Sequence, residues 1–332
     1  MTPEPEGRSA APPGRRSERR SRFDRLIDRV FALGTEVAAL AVPGLLGAIA
    51  ALLAIGALPS FSHFGPAFLY TSAWDVDREI FGIWPEIFGT LATSALAIVL
   101  GVPVAIGIAT FLSEDAPGFL RTPLAALVEL LAAIPSVVYG LWGLVVLAPY
   151  MRTTIEPGLK GTVGQVPGLA TLFAGTPIGV DIFTAGVILA VMIIPTVSAI
   201  SREAMSAVPN AQREAAIALG ATRWETTRRA VLPYAGSGII GAIILGLGRA
   251  LGETMAVTMT IGNNPYAAPS SLLGQGQTLA SAIASSFGEA TNARFVGTLL
   301  AAGLVLLAIT LVVNVVARLL VRGVFKGGES PA

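Results

Sequence analysis

The sequence has no cysteine, a single histidine and few charged residues. The absence of cysteine excludes disulfides and thiolate-bound metal sites. A lone histidine, His63, argues against a histidine-rich metal site, and we expect an ordinary surface or interfacial residue there. Only 13% of the 332 residues are charged, whereas 53% are hydrophobic, and the mean hydropathy is +0.72. This is more apolar surface than one soluble core needs, so the composition predicts a membrane protein.

Lysine is also scarce, which bears on nucleotide chemistry. Lys160 and Lys326 are the only lysines, and neither lies in a Gly-x-x-x-x-Gly-Lys-Ser/Thr loop that could hold phosphates. No other arrangement of residues typical of a catalytic site is present. We therefore expect a protein that is not an enzyme and has no ATPase site of its own.

Six segments are long and apolar enough to span a bilayer as helices. The sequence thus predicts an all-α integral membrane protein. Prolines fall inside three of the segments, at Pro103, Pro135 and Pro195, where a helix bundle can tolerate them. The segments lie near residues 31–58, 85–112, 123–148, 181–204, 234–261 and 295–320.

Orientation follows from the distribution of Lys and Arg among the loops. With a cytoplasmic N-terminus, seventeen of the 22 basic residues lie inside, four lie outside, and Arg249 lies in the membrane. Both termini are therefore predicted to be cytoplasmic. The predicted parts are a disordered basic tail, 1–30; a first helix with its outer loop, 31–84; a transmembrane domain, 85–322, with a cytoplasmic loop at 207–233; and a tail, 323–332.

The loops on the outer side are long and rich in Gly and Pro. Residues 59–84, 149–180 and 262–294 could present a docking surface. Within the last of these, residues 278–290 have helical spacing but are too short and polar to span, which favours a surface or re-entrant helix.

The inner loop from Ala207 to Tyr234 contains the signals of two short helices joined by a turn. Pro209 suits a first helical turn, and Gly220 can adopt the left-handed conformation that ends a helix. Thr222 and Glu225 have the spacing of a capping box, and Pro233 is expected to stop the second helix. A loop held at both ends by membrane spans has little freedom to enter a DNA groove.

This loop resembles the EAA loop of binding-protein-dependent ABC importer permeases. In that family a short coupling helix of the loop docks on the ATPase subunit, which implies the type I ABC importer fold. A merely structural connector is the alternative. The residues that match the pattern are Glu214, Ala215, Ala216, Gly220, Leu232 and Pro233.

The stretch GRALGETMAV places Arg249 and Glu253 four residues apart in the fifth segment. A cation near the bilayer midplane costs about 2.5–3.5 kcal/mol and should face protein or water. The pair could form a structural ion pair within one helix, or Arg249 could bind a tetrahedral oxyanion that competes with Glu253. Thr254 and Thr258 are weaker pathway candidates that can instead bond to their own helix.

Two further features of the spans concern packing around Arg249. Glu129, in the third segment, is another possible partner of Arg249. Glycines crowd the fifth segment and are expected to let neighbouring backbones approach it closely; they are Gly236, Gly238, Gly241, Gly246, Gly248 and Gly252.

Three longer motifs resemble the phosphate-specific ABC permeases. They are AAIPSVVYGLWG at 132–143, MIIPTVSAISREAM at 192–205 and GLGRALGETMAVTMTIGN at 246–263. The likeness covers roughly residues 85–320 and favours the PstC group over its sister group PstA. In that family the Arg and Glu of the RALGET motif are implicated in phosphate passage, and they fall on Arg249 and Glu253.

The resemblance also implies partners and a location. It implies a PstA-like permease as heterodimer partner, a PstB-like ATPase dimer, a PstS-like phosphate-binding protein and inorganic phosphate, in a bacterial inner membrane. We expect this chain to bind no cofactor, while ATP and Mg are used by the ATPase. The alternatives are a PstA-type or other oxyanion permease, a proton-coupled secondary carrier, and a membrane scaffold or sensor.

Overall fold

The structure is a computed structural model that describes residues 22–266 and 271–325. It divides into two compact units, residues 1–51 and 52–332. Residues 1–21 of the predicted basic tail, 1–30, lie outside the described residues. Residues 22–30 belong to the first helix, which begins at Arg22. The last helix ends at Phe325, so residues 326–332 of the predicted C-terminal tail also lie outside them.

The described residues are mostly helical, as predicted, but they also contain one short β-hairpin whose two strands have two residues each. Strands β1 and β2 pair antiparallel. The elements in chain order are α1 Arg22–Phe64, β1 Trp74–Asp75, β2 Ile80–Phe81, α2 Trp84–Thr110, α3 Gly118–Ala133, α4 Ser136–Trp142, α5 Ala148–Tyr150, α6 Glu156–Gly161, α7 Ile182–Ser206, α8 Asn210–Ala218, α9 Arg223–Thr226, α10 Leu232–Leu251, α11 Met255–Thr260, α12 Leu279–Ser286 and α13 Ala293–Phe325. Single π turns extend several of these helices, at Phe111–Asp115, Gly143–Leu147, Met151–Ile155 and Thr227–Val231. Short 3-10 segments lie at Gly65–Leu69, Val163–Gln165, Ala170–Phe173 and Phe287–Glu289.

Five helices in the described part of the chain are long and apolar enough to cross a membrane. The number rises to six if one bent helix pair counts as a single span. Prediction and structure agree closely for the second, fourth and last segments, which correspond to α2, α7 and α13. Residues 27–49 of α1 are exposed in the structure, and those from 37 to 49 are entirely apolar, as expected of a helix that faces lipid or another membrane protein.

The third predicted span is not one helix, and this prediction was wrong. Helix α3 ends at Ala133, α4 begins at Ser136, and the chain bends by 89° between them. Ile134, with φ −65° and ψ 129°, is extended because the ring of Pro135 disfavours a helical residue before it. Pro103 and Pro195, in contrast, lie inside continuous helices.

The fifth predicted span is also broken. Helix α10 ends at Leu251, Gly252 follows it, and α11 begins only at Met255. The expectation of one continuous helix through Arg249 and Glu253 was therefore wrong. Glycine has the lowest helix propensity of all residues except proline, so a break at Gly252 is compatible with the sequence, although α10 itself contains five other glycines.

The inner loop contains the two predicted short helices, with one difference at its end. Helix α8 is followed by Gly220 at φ +86°, and the capping box of Thr222 and Glu225 is formed. Pro233 does not stop the second helix, however. Helix α9 continues through a π turn into α10, so Pro233 lies inside a continuous helix, where a membrane bundle can tolerate it.

The core of the bundle lies between α2, α7 and α10, where small residues allow close approach. Gly101 and Gly186 lie where a Cβ atom would meet the backbone or side chains of the facing helix. The buried side chains of this core are mainly Ala, Ile, Leu and Val. Close helix packing of this kind is typical of membrane bundles, in which dispersion forces replace the hydrophobic effect.

A second core lies at the end of the bundle where α2 begins and carries the aromatic side chains. Trp74 and Phe81 of the hairpin contact Phe295 of α13. The predicted helix within 278–290 is present as α12, but its first turn is buried, and the Leu279 amide donates to Thr90 Oγ1 of α2 at 2.9 Å. It is therefore not a surface helix.

Candidate functional site

Arg249 lies in the last turn of α10, just before the break in the helix. It is seventeen residues from Leu232, which corresponds to about 25 Å along the helix axis. The side chain is partly buried, and its guanidinium donates a hydrogen bond to Thr196 Oγ1 of α7 at 3.4 Å. A cation at this depth is thus held toward the protein by a neutral hydroxyl.

Glu253 does not neutralise Arg249. It lies in the break between α10 and α11, where Glu253 Oε1 accepts a hydrogen bond from the Ala256 amide at 3.3 Å. No ion pair between Arg249 and Glu253 forms in the described structure, because the helix that would place them one turn apart has ended. Glu253 instead satisfies a free amide in the first turn of α11, which is an N-terminal capping role.

The two predicted threonines bond locally. Thr258 Oγ1 donates to the Thr254 carbonyl at 2.7 Å, and Thr254 Oγ1 donates to the Gly252 carbonyl at 3.3 Å. Both residues remain half-buried. Each hydroxyl oxygen keeps acceptor capacity, but its hydrogen is already engaged, as the alternative interpretation expected.

Glu129 pairs with a different arginine from the one suggested by the sequence. Its Oε1 atom accepts from Arg202 Nη2 of α7 at 3.0 Å. The suggested Glu129–Arg249 pair was therefore wrong. This carboxylate is largely exposed, so the pair contributes little to stability.

A cavity of about 540 Å³ opens beside Arg249, between α10 and α13. Its wall contains two arginines, one asparagine and one threonine, and no acidic residue. The side chain of Asn314 has a buried Oδ1 atom without a hydrogen-bond partner. The lining residues are Thr196, Gly241, Ile244, Leu245, Gly248, Arg249, Asn314 and Arg318.

The glycines of α10 have two different roles around this cavity. A Cβ atom at Gly238 or Gly246 would meet a side chain of α7, as the prediction of close packing requires. At Gly241 and Gly248, by contrast, an added Cβ would meet nothing within 4 Å. These two glycines therefore leave space for the cavity instead of bringing another backbone close.

The second candidate region is the loop helix α8 with the turn that follows it. Glu214 and Ala215 are exposed, and Ala216 is half-buried. The left-handed Gly220 donates its amide to the Ile217 carbonyl at 2.9 Å and so ends the helix. Leu232 and Pro233 are more distant along the chain and begin α10.

Apolar side chains on this loop point to solvent. Leu219 is 90% exposed, Trp224 is 63% exposed and Ile217 is 56% exposed. Large apolar side chains that are exposed on a loop are typical of a protein–protein contact surface. We call these three residues the loop patch.

Arg213 holds α8 against the rest of the bundle, and the sequence did not single it out. Its Nε and Nη2 atoms donate to both oxygens of Glu114, at 3.1 and 2.9 Å. Nη2 also donates to the Met205 carbonyl at 2.9 Å, and Nη1 donates to the Val208 carbonyl. The side chain thus joins the loop helix to the ends of α2 and α7.

Two buried carboxyl groups lie near the start of α7. Asp181 Oδ1 accepts from the Thr184 amide at 2.8 Å and caps the helix, while Glu156 Oε2 accepts from the Gly179 amide at 3.2 Å. Both side chains are fully buried. Burial, together with the neighbouring charge of Glu156, raises the pKa of Asp181 from its ordinary value of 3.8 to about 7.

Comparisons with known proteins agree in family and fold. Residues 97–326 match the family described as binding-protein-dependent transport system inner membrane component. The phosphate transport system permease protein PstC of Mesorhizobium japonicum is 44% identical over 293 residues, which is 88% of this chain and 89% of that protein. The PstC protein of Pasteurella multocida is 44% identical over 301 residues, 91% of this chain and 93% of that protein.

A solved structure shares the fold. A bacterial ABC transporter involved in the import of the acidic polysaccharide alginate matches with a TM-score of 0.56, over 92% of this chain and all of that chain. The sequence identity is 17%, so this likeness concerns the fold alone.

Proposed function

We propose that this chain forms the translocation pathway of an ATP-driven importer of inorganic phosphate. It belongs to the binding-protein-dependent transport system inner membrane components and, within them, to the phosphate transport permeases named PstC. It is a multi-pass membrane protein and a transport subunit, not an ATPase. We place it in a bacterial inner membrane, with both termini on the cytoplasmic side.

The observation that carries this proposal is Arg249 at the break in the fifth span, on a cavity without an acidic residue. A guanidinium presents two parallel N–H groups that match two oxygens of phosphate. Its only hydrogen bond within the described structure goes to the neutral Thr196 hydroxyl. An arriving anion would therefore not have to displace a carboxylate first.

Reversible binding is essential for transport, since a site that holds its ion too tightly cannot release it. The single 3.4 Å bond to Thr196 leaves the Arg249 side chain free to reorient. Glu253 lies within the break and can repel an anion that has moved past Arg249. Thr254 and Thr258, on the same broken segment, remain candidates for contacts along the pathway.

Energy for transport has to reach this pathway from another subunit. The loop patch, together with Glu214, Ala215, Ala216 and Gly220, offers an exposed surface on α8, its turn and α9 that is apolar except for Glu214. We assign it to a PstB-like ATPase dimer that uses ATP and Mg. Helix α9 continues without a break into α10, and Arg249 lies in the last turn of α10. A movement of the loop is therefore transmitted along this helix to Arg249.

Two further partners are proposed, one because the cavity wall is open in this single chain and both because the family implies them. A PstA-like permease would complete the pathway, whose wall is open in this single chain. A PstS-like binding protein would deliver phosphate to the outer loops. This chain itself is proposed to bind no cofactor.

The test is ATP-dependent uptake of labelled phosphate into liposomes that contain this chain with its partner permease, ATPase and binding protein. We expect uptake by the wild-type assembly and none by Arg249→Ala, with the purified complex still intact. Arg249→Lys keeps the charge but loses the two-pronged geometry, and it should retain only a small fraction of the uptake.

Controls separate this function from its alternatives. Arg121→Ala removes one exposed arginine, which donates only to the nearby Ser113 carbonyl, and should leave uptake unchanged. Uptake driven by a pH gradient without the ATPase would instead indicate a proton-coupled carrier. Normal uptake by Arg249→Ala would contradict the role of the arginine, and an assembly that hydrolyses ATP but never takes up phosphate would contradict the substrate.

A further inference from the structure

The cavity beside Arg249 has a second wall that the proposed function does not use. Asn314 and Arg318 of α13 both line it, and they lie one helical turn apart on the same face. By sequence, Arg318 counted only among the basic residues that orient the chain. In the structure it shares a cavity with Arg249.

Space for a ligand is created by the residues of α10 that face α13. Gly241 and Gly248 lie seven residues apart, about 10 Å along the axis, and neither has a neighbour where a side chain would begin. A cavity of about 540 Å³ is large enough for a phosphate group with several waters.

The polar groups of this cavity lack counter-charges. Neither Arg249 nor Arg318 forms an ion pair with a carboxylate in the described part of the chain, and no lining residue is acidic. The buried Asn314 Oδ1 atom has no hydrogen-bond partner, and because an amide oxygen only accepts, it is the Nδ2 group of this side chain that can donate to an anion. Two cations that share one cavity repel each other, and an anion between them removes that repulsion.

We propose that Arg318 and Asn314 form, with Arg249 and Thr196, a two-arginine binding site for a phosphate oxyanion between α10 and α13. The site extends the proposed pathway from Arg249 toward the end of α13, so the proposal rests on the proposed function. Arg318 is the exposed arginine of the pair and Arg249 is the partly buried one.

The donor set matches the chemistry of a phosphate group. Two guanidinium groups, one hydroxyl and one amide can donate to at least four oxygen lone pairs of a tetrahedral dianion. The same chemistry would hold a free phosphate ion or the headgroup of an anionic phospholipid, because the cavity is open on one side. The experiment below therefore separates these two sources.

The test uses the full complex without the binding protein, in nanodiscs of phosphatidylcholine alone. Equilibrium binding of labelled inorganic phosphate is measured for wild type, Arg318→Ala and Asn314→Asp, and uptake is measured for the same proteins in liposomes. Retention of added phosphatidic acid is followed in parallel by mass spectrometry of the intact complex.

A free-phosphate site predicts binding to wild type that weakens about tenfold in Arg318→Ala, as expected from the loss of one charged hydrogen bond. Asn314→Asp keeps the size of the side chain but adds a negative charge, so it should bind more weakly still. A lipid site predicts instead that both variants lose phosphatidic acid while phosphate binding is absent from wild type. Either pattern supports the proposal.

The proposal fails if Arg318→Ala and Asn314→Asp bind phosphate and phosphatidic acid as wild type does. That failure is distinct from failure of the proposed function, in which the wild-type assembly itself takes up no phosphate. Arg318→Lys should restore part of the binding, and Arg121→Ala should change nothing. Size-exclusion profiles of all variants confirm that the complex has assembled.

Discussion

Arg213 of the loop helix and Glu114 at the end of α2 form an ion pair with two hydrogen bonds, although they are 99 residues apart in the chain. The pair is largely buried, with side-chain exposures of 19% and 12%. It gives the loop a second attachment besides its covalent links to α7 and α10. A force on α8 is therefore transmitted to α2 as well.

The first prediction concerns this attachment. We expect Arg213→Ala to lower the ratio of phosphate transported to ATP hydrolysed, because α8 can then move without α2. Loss of the pair should also destabilise the fold by about 1–3 kcal/mol, since it leaves a largely buried carboxylate unpaired. The measurements are uptake and ATPase rate on the same liposomes, together with the thermal midpoint of unfolding.

Arg121→Ala is the matched control, because the exposed Arg121 donates only to the Ser113 carbonyl nearby. Charge reversal, Arg213→Glu with Glu114→Arg, should restore part of the ratio lost in either single variant. An unchanged ratio in Arg213→Ala would show that the covalent links alone transmit the force.

The second prediction concerns the turn after α8. Gly220 has φ +86°, which costs a residue with a Cβ atom about 1 kcal/mol. We expect Gly220→Ala to weaken binding of the ATPase subunit, and Gly220→Asn to weaken it less. Gly118→Ala, at a glycine without positive φ or close neighbours, is the control. Equal ATPase affinity in all three would mean that this turn does not shape the docking surface.

A third prediction follows from the separation of Arg249 and Glu253. A double-mutant cycle of Arg249→Ala and Glu253→Gln should give a coupling energy for unfolding below about 0.5 kcal/mol, since the two groups do not interact. Glu253→Gln should preserve stability, because glutamine can still accept from the Ala256 amide. A coupling energy well above this value would support the alternative interpretation, in which Arg249 and Glu253 form a structural ion pair.

The fourth prediction is a pH dependence from Asp181. Its pKa rises from 3.8 in the unfolded chain to about 7 in the folded protein. The folded state therefore binds the proton more tightly, and this contribution to stability is complete below the lower value and lost as the pH rises through about 7. We expect the thermal midpoint of unfolding to decrease as the pH rises from roughly 4 to roughly 7.

Asp181→Asn should flatten this profile, because asparagine can still cap α7 but cannot ionise. Asp75→Asn, on the hairpin, serves as the control. A profile with the same slope in Asp181→Asn would assign the pH dependence to another group.

Local sequence signals predicted several elements correctly. The capping box of Thr222 and Glu225, the turn at Gly220 and the span at 181–204 all depend on residues close in the chain, and the structure contains each of them. Pro135 and Gly252 were visible too, but their effects were underestimated. A proline or glycine in a membrane helix is tolerated or breaks the helix according to its neighbours, and the sequence does not say which.

The partners of charged side chains were the least predictable feature. Glu129 pairs with Arg202 instead of Arg249, and Glu253 caps a helix instead of forming an ion pair. Asn314 and Arg318, four residues apart in an apolar helix, were a signal that could have been noticed. Arg213 offered no comparable signal, because no spacing rule connects residues 99 positions apart.

The sequence by itself determined the membrane character, the family and the loop with its two short helices, and it predicts a role for Arg249. These depend on composition, periodicity and short motifs, which act locally. Only the tertiary structure decided where the fifth span breaks, which carboxylates neutralise which arginines, and that α13 brings Arg318 to the cavity of Arg249. Those outcomes depend on the packing of helices that are distant in the chain, and the energy of an ion pair depends on that geometry.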